Sequence, residues 1–403
     1  MTREPAKASV LIITHRLVNN YGAILQAYAL QEILRRMGYK PETLNYCTRT
    51  WIYRPLSVTR RVLSFFKRLF LNRRPYDVSS LQKLHSKQQF EEWKTHESMN
   101  LHIANDFIHE HITLTREFDL PHEEGDLRKL CYKNYIVGSD QVWRGVCYIN
   151  SDLPFLGFTK NFRSVQRIAY AASFGIDHFD ITGFPGLSRK DITKMLRRFN
   201  AVSVREADGI AICRNELDIK NAVQMPDPTF LLQKEDYISL IHEKYPGTIA
   251  KQDYILSYIL DFTQEKENIL QRVAEFRGKP IRKFVLASRT AQEGMPTTAM
   301  SPSVSGWLKG FFEADCIVTD SFHGTVFSIL FQKDFIVLLN QDRGLSRIYS
   351  LLQSCNLSDR IVSDSGNCVF VLKNKADFSD AEKMQRDSRI KALDFLKKNL
   401  SGL

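Results

Sequence analysis

Four places in the 403-residue sequence bring together side chains able to bind anions or move protons. The first is Asp320, Ser321, Phe322, His323 and Gly324, which break an apolar run and centre on an imidazole, the side chain that changes charge near neutral pH. The second is Gly138, Ser139, Asp140 and Gln141, which end another apolar run. The third is Arg205 beside Glu206: a guanidinium fork takes a carboxylate or phosphate through two parallel hydrogen bonds, and equally forms a salt bridge with a neighbouring acid. The fourth is Asn19, Asn20, Tyr21 and Gly22, where backbone N–H groups at a helix start can receive an anion or hydroxyls, or where an Asn simply caps. His323 also has a plain reading, in which Asp320 and Ser321 cap a helix and the imidazole is a satisfied core or surface residue.

These residues share one kind of position. Ser9 to Thr14, Asn134 to Val137, Arg167 to Ala172, Ala201 to Val204 and Cys316 to Thr319 are short apolar or β-branched runs that each end in small or charged residues, the pattern of buried parallel strands. Helical spacing follows several of them: Leu25, Tyr28, Ile33, Leu34 and Met37 predict a helix ended by Gly38, and Thr325 to Phe331 the apolar face of another, before a strand at Phe335 to Leu339. A second cycle begins with a strand at Tyr254 to Leu260, a helix at Glu265 to Phe276, a strand at Arg282 to Leu286 and a helix at Ser303 to Phe312. MPDPTFLL, from Met225, reads as an ordered turn that its prolines keep from being helical, and 233–252 as the linker between halves. The expected fold is α/β, with two Rossmann-like domains facing across a crevice at the strand ends, where open parallel sheets bind ligands. The domains are expected at 1–240 and 241–376, with a C-terminal helix over 377–403 that can pack back on the first.

The formal charge of +11 would suggest an anionic polymer as partner if it were evenly spread. It is not: 54–74 holds seven Lys or Arg and no acid, leaving 49 bases against 45 acids elsewhere, an ordinary balance for an enzyme. In this stretch Arg60, Arg61, Lys67 and Arg68 interleave with Phe65, Phe66 and Phe70. That is the pattern of a basic amphipathic helix in a membrane interface, or of a helix packing its aromatics on the core with its bases solvated. The apolar face is aliphatic as well as aromatic, which favours the membrane over nucleic acid. Seven scattered cysteines without a Cys-x-x-Cys pair predict reduced thiols and no metal site. The first residues lack the apolar run of a signal peptide and no stretch reaches the length of a membrane span, so a cytoplasmic location is expected, with peripheral membrane contact.

In this order along the chain, NNYGAILQAYALQEILRRMGY, YIVGSDQVW, IAYAASFG, VSVRE, DPTFLL and IVTDSFHG resemble the polysaccharide pyruvyl transferase family. The resemblance implies a GT-B-like arrangement, phosphoenolpyruvate as donor and a sugar as acceptor. Its product would be a pyruvate ketal on a cell-surface polysaccharide such as a capsule or exopolysaccharide, or on its lipid-linked precursor. It implies catalytic roles for His323, Arg205 and Asp140. It also implies a donor pocket of Arg205, Ser321, His323, Gly324, Lys333 and Arg343, and an acceptor side of Asn19, Asn20, Tyr21, Gly22, Ser139, Asp140 and Gln141. No metal or redox cofactor is implied, phosphoenolpyruvate being a co-substrate. The chain departs from the family where Ser321 stands in place of an arginine and Arg343 near the place of a lysine, which removes one charge from the expected donor pocket. Two other readings share parts of this pattern. A GT-B-type glycosyltransferase using a nucleotide sugar would have the same crevice, and a non-catalytic membrane or nucleic-acid binding protein would use the basic stretch and leave the polar strand ends without a purpose.

Overall fold

The computed structural model describes residues 8–18, 20–47, 104–120, 123–144, 152–184, 186–285, 300–340 and 344–401. The basic stretch with Arg60, Arg61, Phe65, Phe66, Lys67, Arg68 and Phe70, together with Asn19 and Arg343, lies outside these residues. Among the described residues no helix is long and apolar enough to cross a membrane.

The first half contributes β1 (Ser9–Ile13), β2 (Lys40–Thr43), β3 (Tyr46–Cys47), β4 (Phe118–Asp119), β5 (Asn134–Val137), β6 (Gln166–Ala172), β7 (Ala201–Val204) and β8 (Val223–Gln224). Six of these form a parallel sheet in the order β2-β1-β5-β6-β7-β8, with β3 and β4 paired separately. The second half contributes β9 (Ile255–Tyr258), β10 (Ile281–Phe284), β11 (Cys316–Thr319), β12 (Asp334–Leu338) and β13 (Ile361–Val362), a parallel sheet in the order β10-β9-β11-β12-β13. The central strands are mostly apolar because helices cover both faces, and every residue of β1, β5, β9 and β11 is buried. The fold is therefore α/β with two Rossmann-like domains. Register brings the ends together: Ile13 pairs with Val137, Val137 with Ala169, and Thr319 with both Tyr258 and Val337, so each sheet presents its polar loops along one edge.

Helices α1 (Tyr21–Arg36), α2 (Lys234–Lys244), α3 (Gln264–Arg277), α4 (Val304–Glu313), α5 (Phe322–Leu330), α6 (Ser346–Ser354) and α7 (Ser379–Asn399) supply most of the remaining packing. Two sequence expectations are corrected here. The stretch read as a linker is largely α2, because Tyr237, Leu240 and Ile241 form a helical stripe that is buried and a capping box joins Gln233 to Asp236. The 225–232 turn contains one 3-10 turn, Pro228–Leu231, because a proline at its first position needs no N–H and Asp227 Oδ1 caps it by accepting from Thr229 N at 3.1 Å.

The two domains meet on an apolar interface. Tyr21, at the start of α1, stacks on Trp307 of α4 with ring centroids 5.5 Å apart and donates its hydroxyl to Pro302 O at 2.6 Å. Arg36 of α1 pairs with Asp236 of α2 at 2.8 Å. Helix α7 returns to the first domain: Gln385 donates to Leu232 O, Phe395 packs near Tyr170, and Ser401 exchanges two 2.9 Å hydrogen bonds with the Asn134 side chain.

Candidate active site

On the second domain the chain leaves β11 through a tight turn. Thr319 Oγ1 donates to Tyr258 O at 2.7 Å and accepts from Ser321 N at 3.1 Å, and Ser321 Oγ caps α5 by accepting from Gly324 N at 3.3 Å. A Cβ on Gly324 would lie 2.2 Å from Thr319 Oγ1, so the close turn requires glycine. This geometry puts His323 in the first turn of α5, pointing across to the first domain. Asp320, which also lines the cleft, accepts from Leu260 N, Asp261 N, Lys266 Nζ and Asn340 Nδ2 at 2.6 to 3.2 Å, so it ties its own domain together.

On the first domain three strand or turn ends converge beneath that histidine. Gly138 follows β5 at φ +112°, where an added Cβ would meet Tyr170 O at 2.2 Å, and it leads into Ser139 and Asp140. Arg205 follows β7. Its Nη1 donates to Asp227 Oδ2 at 2.7 Å and its Nη2 to Asp140 Oδ1 at 3.2 Å, while Glu206 Oε2 stands 3.9 Å from Nε. The face of the guanidinium covers the Phe322 ring at 4.2 Å. Here the sequence expectation needs correction: Arg205 is buried with its fork already filled by carboxylates, so it does not offer a free fork to a ligand. Burial alone would lower its pKa, but Asp140, Asp227 and Glu206 outweigh that and raise it. Burial likewise pushes the Asp140 carboxyl up, but Arg205, with His15, His323 and Arg347, outweighs it and holds the group well below the usual carboxylate range. Asp227 is held low in the same way, by His323 and Arg205 against burial.

His323 joins this network from the other domain. Its Nε2 lies 3.6 Å from Asp227 Oδ2, and α1 covers the ring so closely that a Cβ on Gly22 would lie 2.0 Å from Nδ1. Above it opens a cleft of about 620 Å³, counted with its mouth. Asn20, Asp140, Gln141 and Arg144 line the first-domain side; Tyr258, Leu260, Ser321, Phe322, His323, Asn340 and Arg347 are among the second-domain residues that line the other. With its amide oriented to satisfy both neighbours, the Gln141 oxygen accepts from Arg144 Nη1 at 3.1 Å and from Arg347 Nη2 at 3.2 Å. Arg347, from the first turn of α6, also approaches Asp140 at 4.0 Å; burial, and next the charge of Arg205, bring its pKa down to about 10.

Of the expected site residues, Asn20, Asp140, Gln141, Ser321 and His323 line one cleft, and Ser139, Arg205 and Gly324 are buried behind them. Tyr21 turns away to the domain interface, and Gly22 backs the histidine without facing the cleft. Lys333 lies off the site, because α5 carries the chain back to the amino end of β12, and its Nζ rests 5.3 Å above Phe312. Three residues that sequence reasoning missed complete the picture: Asp227, hidden in MPDPTFLL, Arg144, three positions after Gln141, and Arg347.

Solved structures similar to this chain are distant. UGT89C1 of Arabidopsis thaliana, complexed with UDP-L-rhamnose, is 10% identical over 98% of this chain and 99% of its own, with a TM-score of 0.49. The UDP-N-acetylglucosamine 2-epimerase of Rickettsia bellii is 10% identical over 97% and 98%, with a TM-score of 0.48. The UDP-GlcNAc 2-epimerase of Methanocaldococcus jannaschii, in complex with UDP-GlcNAc and UDP, is 11% identical over 95% and 99%, with a TM-score of 0.47. At this distance nothing about donor or substrate passes from them to this chain. No curated protein sequence matches it. The family model for polysaccharide pyruvyl transferase, in contrast, matches residues 20–342, a span that runs from the Asn20 cap through Asp140, Arg205, Asp227 and His323. The chain belongs to the polysaccharide pyruvyl transferase family.

Proposed function

We propose that this protein transfers the enolpyruvyl group of phosphoenolpyruvate to a saccharide and closes it into a pyruvate ketal. The observation that carries this reading, in a chain of this family, is the pair Arg144 and Arg347, bridged by Gln141, beside His323. Phosphoenolpyruvate bears a carboxylate and a phosphate, and guanidinium forks match both. Arg347 takes the role first expected of Arg205, because Arg347 lines the cleft while Arg205 sits behind it among carboxylates.

In the proposed reaction His323 delivers a proton to the methylene carbon and one sugar hydroxyl adds to the resulting cationic carbon. The C–O bond to phosphate then breaks, and a second hydroxyl closes the ketal. Of the two hydroxyl protons, one ends on the new methyl group through His323 and the other leaves with phosphate, so no redox partner is needed. Asp140 anchors Arg205 and Arg347 in this scheme: a carboxyl held so far below its usual range is a weak base. The acceptor approaches from Asn20 and Gln141. A lipid-linked saccharide at the inner face of the cytoplasmic membrane would suit the basic stretch at 54–74.

The test is transfer itself. The protein is incubated with phosphoenolpyruvate labelled with 13C at C2 and a lipid-linked saccharide fraction, and carbon NMR follows conversion of the enol carbon into a ketal carbon with equimolar release of phosphate. Ketal formation supports the proposal. Its absence, together with turnover of a nucleotide sugar on the same fraction, would contradict it.

A further inference from the structure

The residue closest to the catalytic candidate in charge belongs to the other domain. His323 is carried by α5 of the second domain, yet two elements of the first domain hold its ring. On one side is the first turn of α1, where only a glycine at position 22 leaves room. On the other is Asp227 of the turn after β8. His323 Nε2 is buried, has no hydrogen-bond partner in the structure, and faces Asp227 Oδ2 at 3.6 Å. Asp227 is itself fixed: Oδ1 accepts from Thr229 N and Thr229 Oγ1, and Oδ2 accepts from Arg205 and, at 3.4 Å, from Ser139 Oγ. A carboxylate anchored at both oxygens and fully buried is a fixed reference for an imidazole.

We propose that Asp227 is the positioning residue for His323, holding Nε2–H inward across the domain boundary and so fixing the tautomer of the ring that lines the cleft. A carboxylate on one imidazole nitrogen fixes the tautomer and stabilises the protonated ring, which is what a proton carrier needs. Among the described residues the same cluster also holds Asp140 at the end of β5 and Arg205 at the end of β7, which donates to the Asp227 oxygen that the ring faces and is itself surrounded by Asp140, Asp227 and Glu206. One consequence is structural control: the dyad exists only when the two domains are docked, so a histidine on a separated second domain lacks its partner.

This inference rests on the reading of His323 as the proton carrier, but its test needs no substrate. Full-length protein carrying 15N-labelled histidine is titrated by long-range 1H–15N NMR, with His323 assigned by its loss in His323→Gln. In the wild type the neutral ring is expected as the Nε2–H tautomer. In Asp227→Asn the His323 titration is expected to move to lower pH than in the wild type, with a circular-dichroism melt showing that the variant is folded. A neutral ring in the Nδ1–H form, or a titration unmoved in folded Asp227→Asn, overturns the proposal. Should Asp227→Asn not fold, the wild-type tautomer decides alone. If the tautomer is as expected but phosphoenolpyruvate is not a substrate, the dyad stands and the donor reading fails.

Discussion

Arg205 is held by three carboxylates at once, and removing it would take from buried Asp140 and Asp227 the cation that bonds to both. An uncompensated buried charge costs about 3–5 kcal/mol, so Arg205→Gln should lower the urea midpoint sharply at neutral pH. The pH dependence follows from the same pairs. Both carboxyls are held below their unfolded values, so their contribution is present above the unfolded pKa near 4 and is lost as pH falls below it. The wild type should therefore lose melting temperature on acidification below about pH 5, and Arg205→Gln should lose much less over that range because its carboxyls no longer titrate low. Gly22→Ala acts at a neighbouring point. The added methyl collides with the buried His323 ring and not with backbone, so transfer should fall by roughly 100-fold and the melting temperature should drop with the cost of overpacking, about 1–3 kcal/mol, without loss of the fold. At this scale the sequence exposes the ends of strands but not their partners. Arg205 is legible as a guanidinium after an apolar run; that its fork is filled depends on Asp227, which only the folded chain brings to it.

Secondary elements are the most legible layer, and the reason is periodicity. β7 and β11 fall where the apolar runs put them, and α3 and α4 begin within a residue of their capping residues Thr263 and Ser303. Helix α2 is the exception because its polar majority hides a three-residue stripe that needs α4 to be buried. Placement of Lys333 turns on direction and not on periodicity: a residue just after a βα unit lies at the far edge of the sheet from one just before its helix. Burial, and next the charge of Lys251, bring the Lys333 pKa down to about 8. A lysine whose folded pKa is depressed destabilises the fold below that pH, and the cost fades as pH rises from about 8 to its unfolded value near 10.4. Lys333→Met should therefore raise stability at pH 7 by about 1 kcal/mol after allowance for solvent screening, with the gain shrinking by pH 10. Its transfer rate should match the wild type; a loss of donor binding would return Lys333 to the site.

For the whole molecule, function depends on how the domains are joined, because the cleft takes residues from both and Asp227 and His323 face each other across the boundary. Tyr21 on Trp307 and the return of α7 to the first domain hold that arrangement. Removing residues 379–401 should lower the melting temperature and reduce transfer by more than tenfold, even though no residue of α7 lines the cleft. That two parallel sheets face one another is legible from the order of apolar runs; which side chains close the cleft is not, since Arg347 follows a loop and carries no motif of its own.

Calorimetric titration of the full-length protein tests the proposal that the cleft binds phosphoenolpyruvate through Arg347 and Arg144. Phosphoenolpyruvate should bind saturably. Arg347→Ala should weaken it by 10- to 100-fold, about 1.4–2.8 kcal/mol, and His323→Gln should bind it nearly as the wild type does. Binding of a nucleotide sugar with no response to phosphoenolpyruvate, or phosphoenolpyruvate binding indifferent to Arg347→Ala, would show that the cleft is not a phosphoenolpyruvate site built on Arg347.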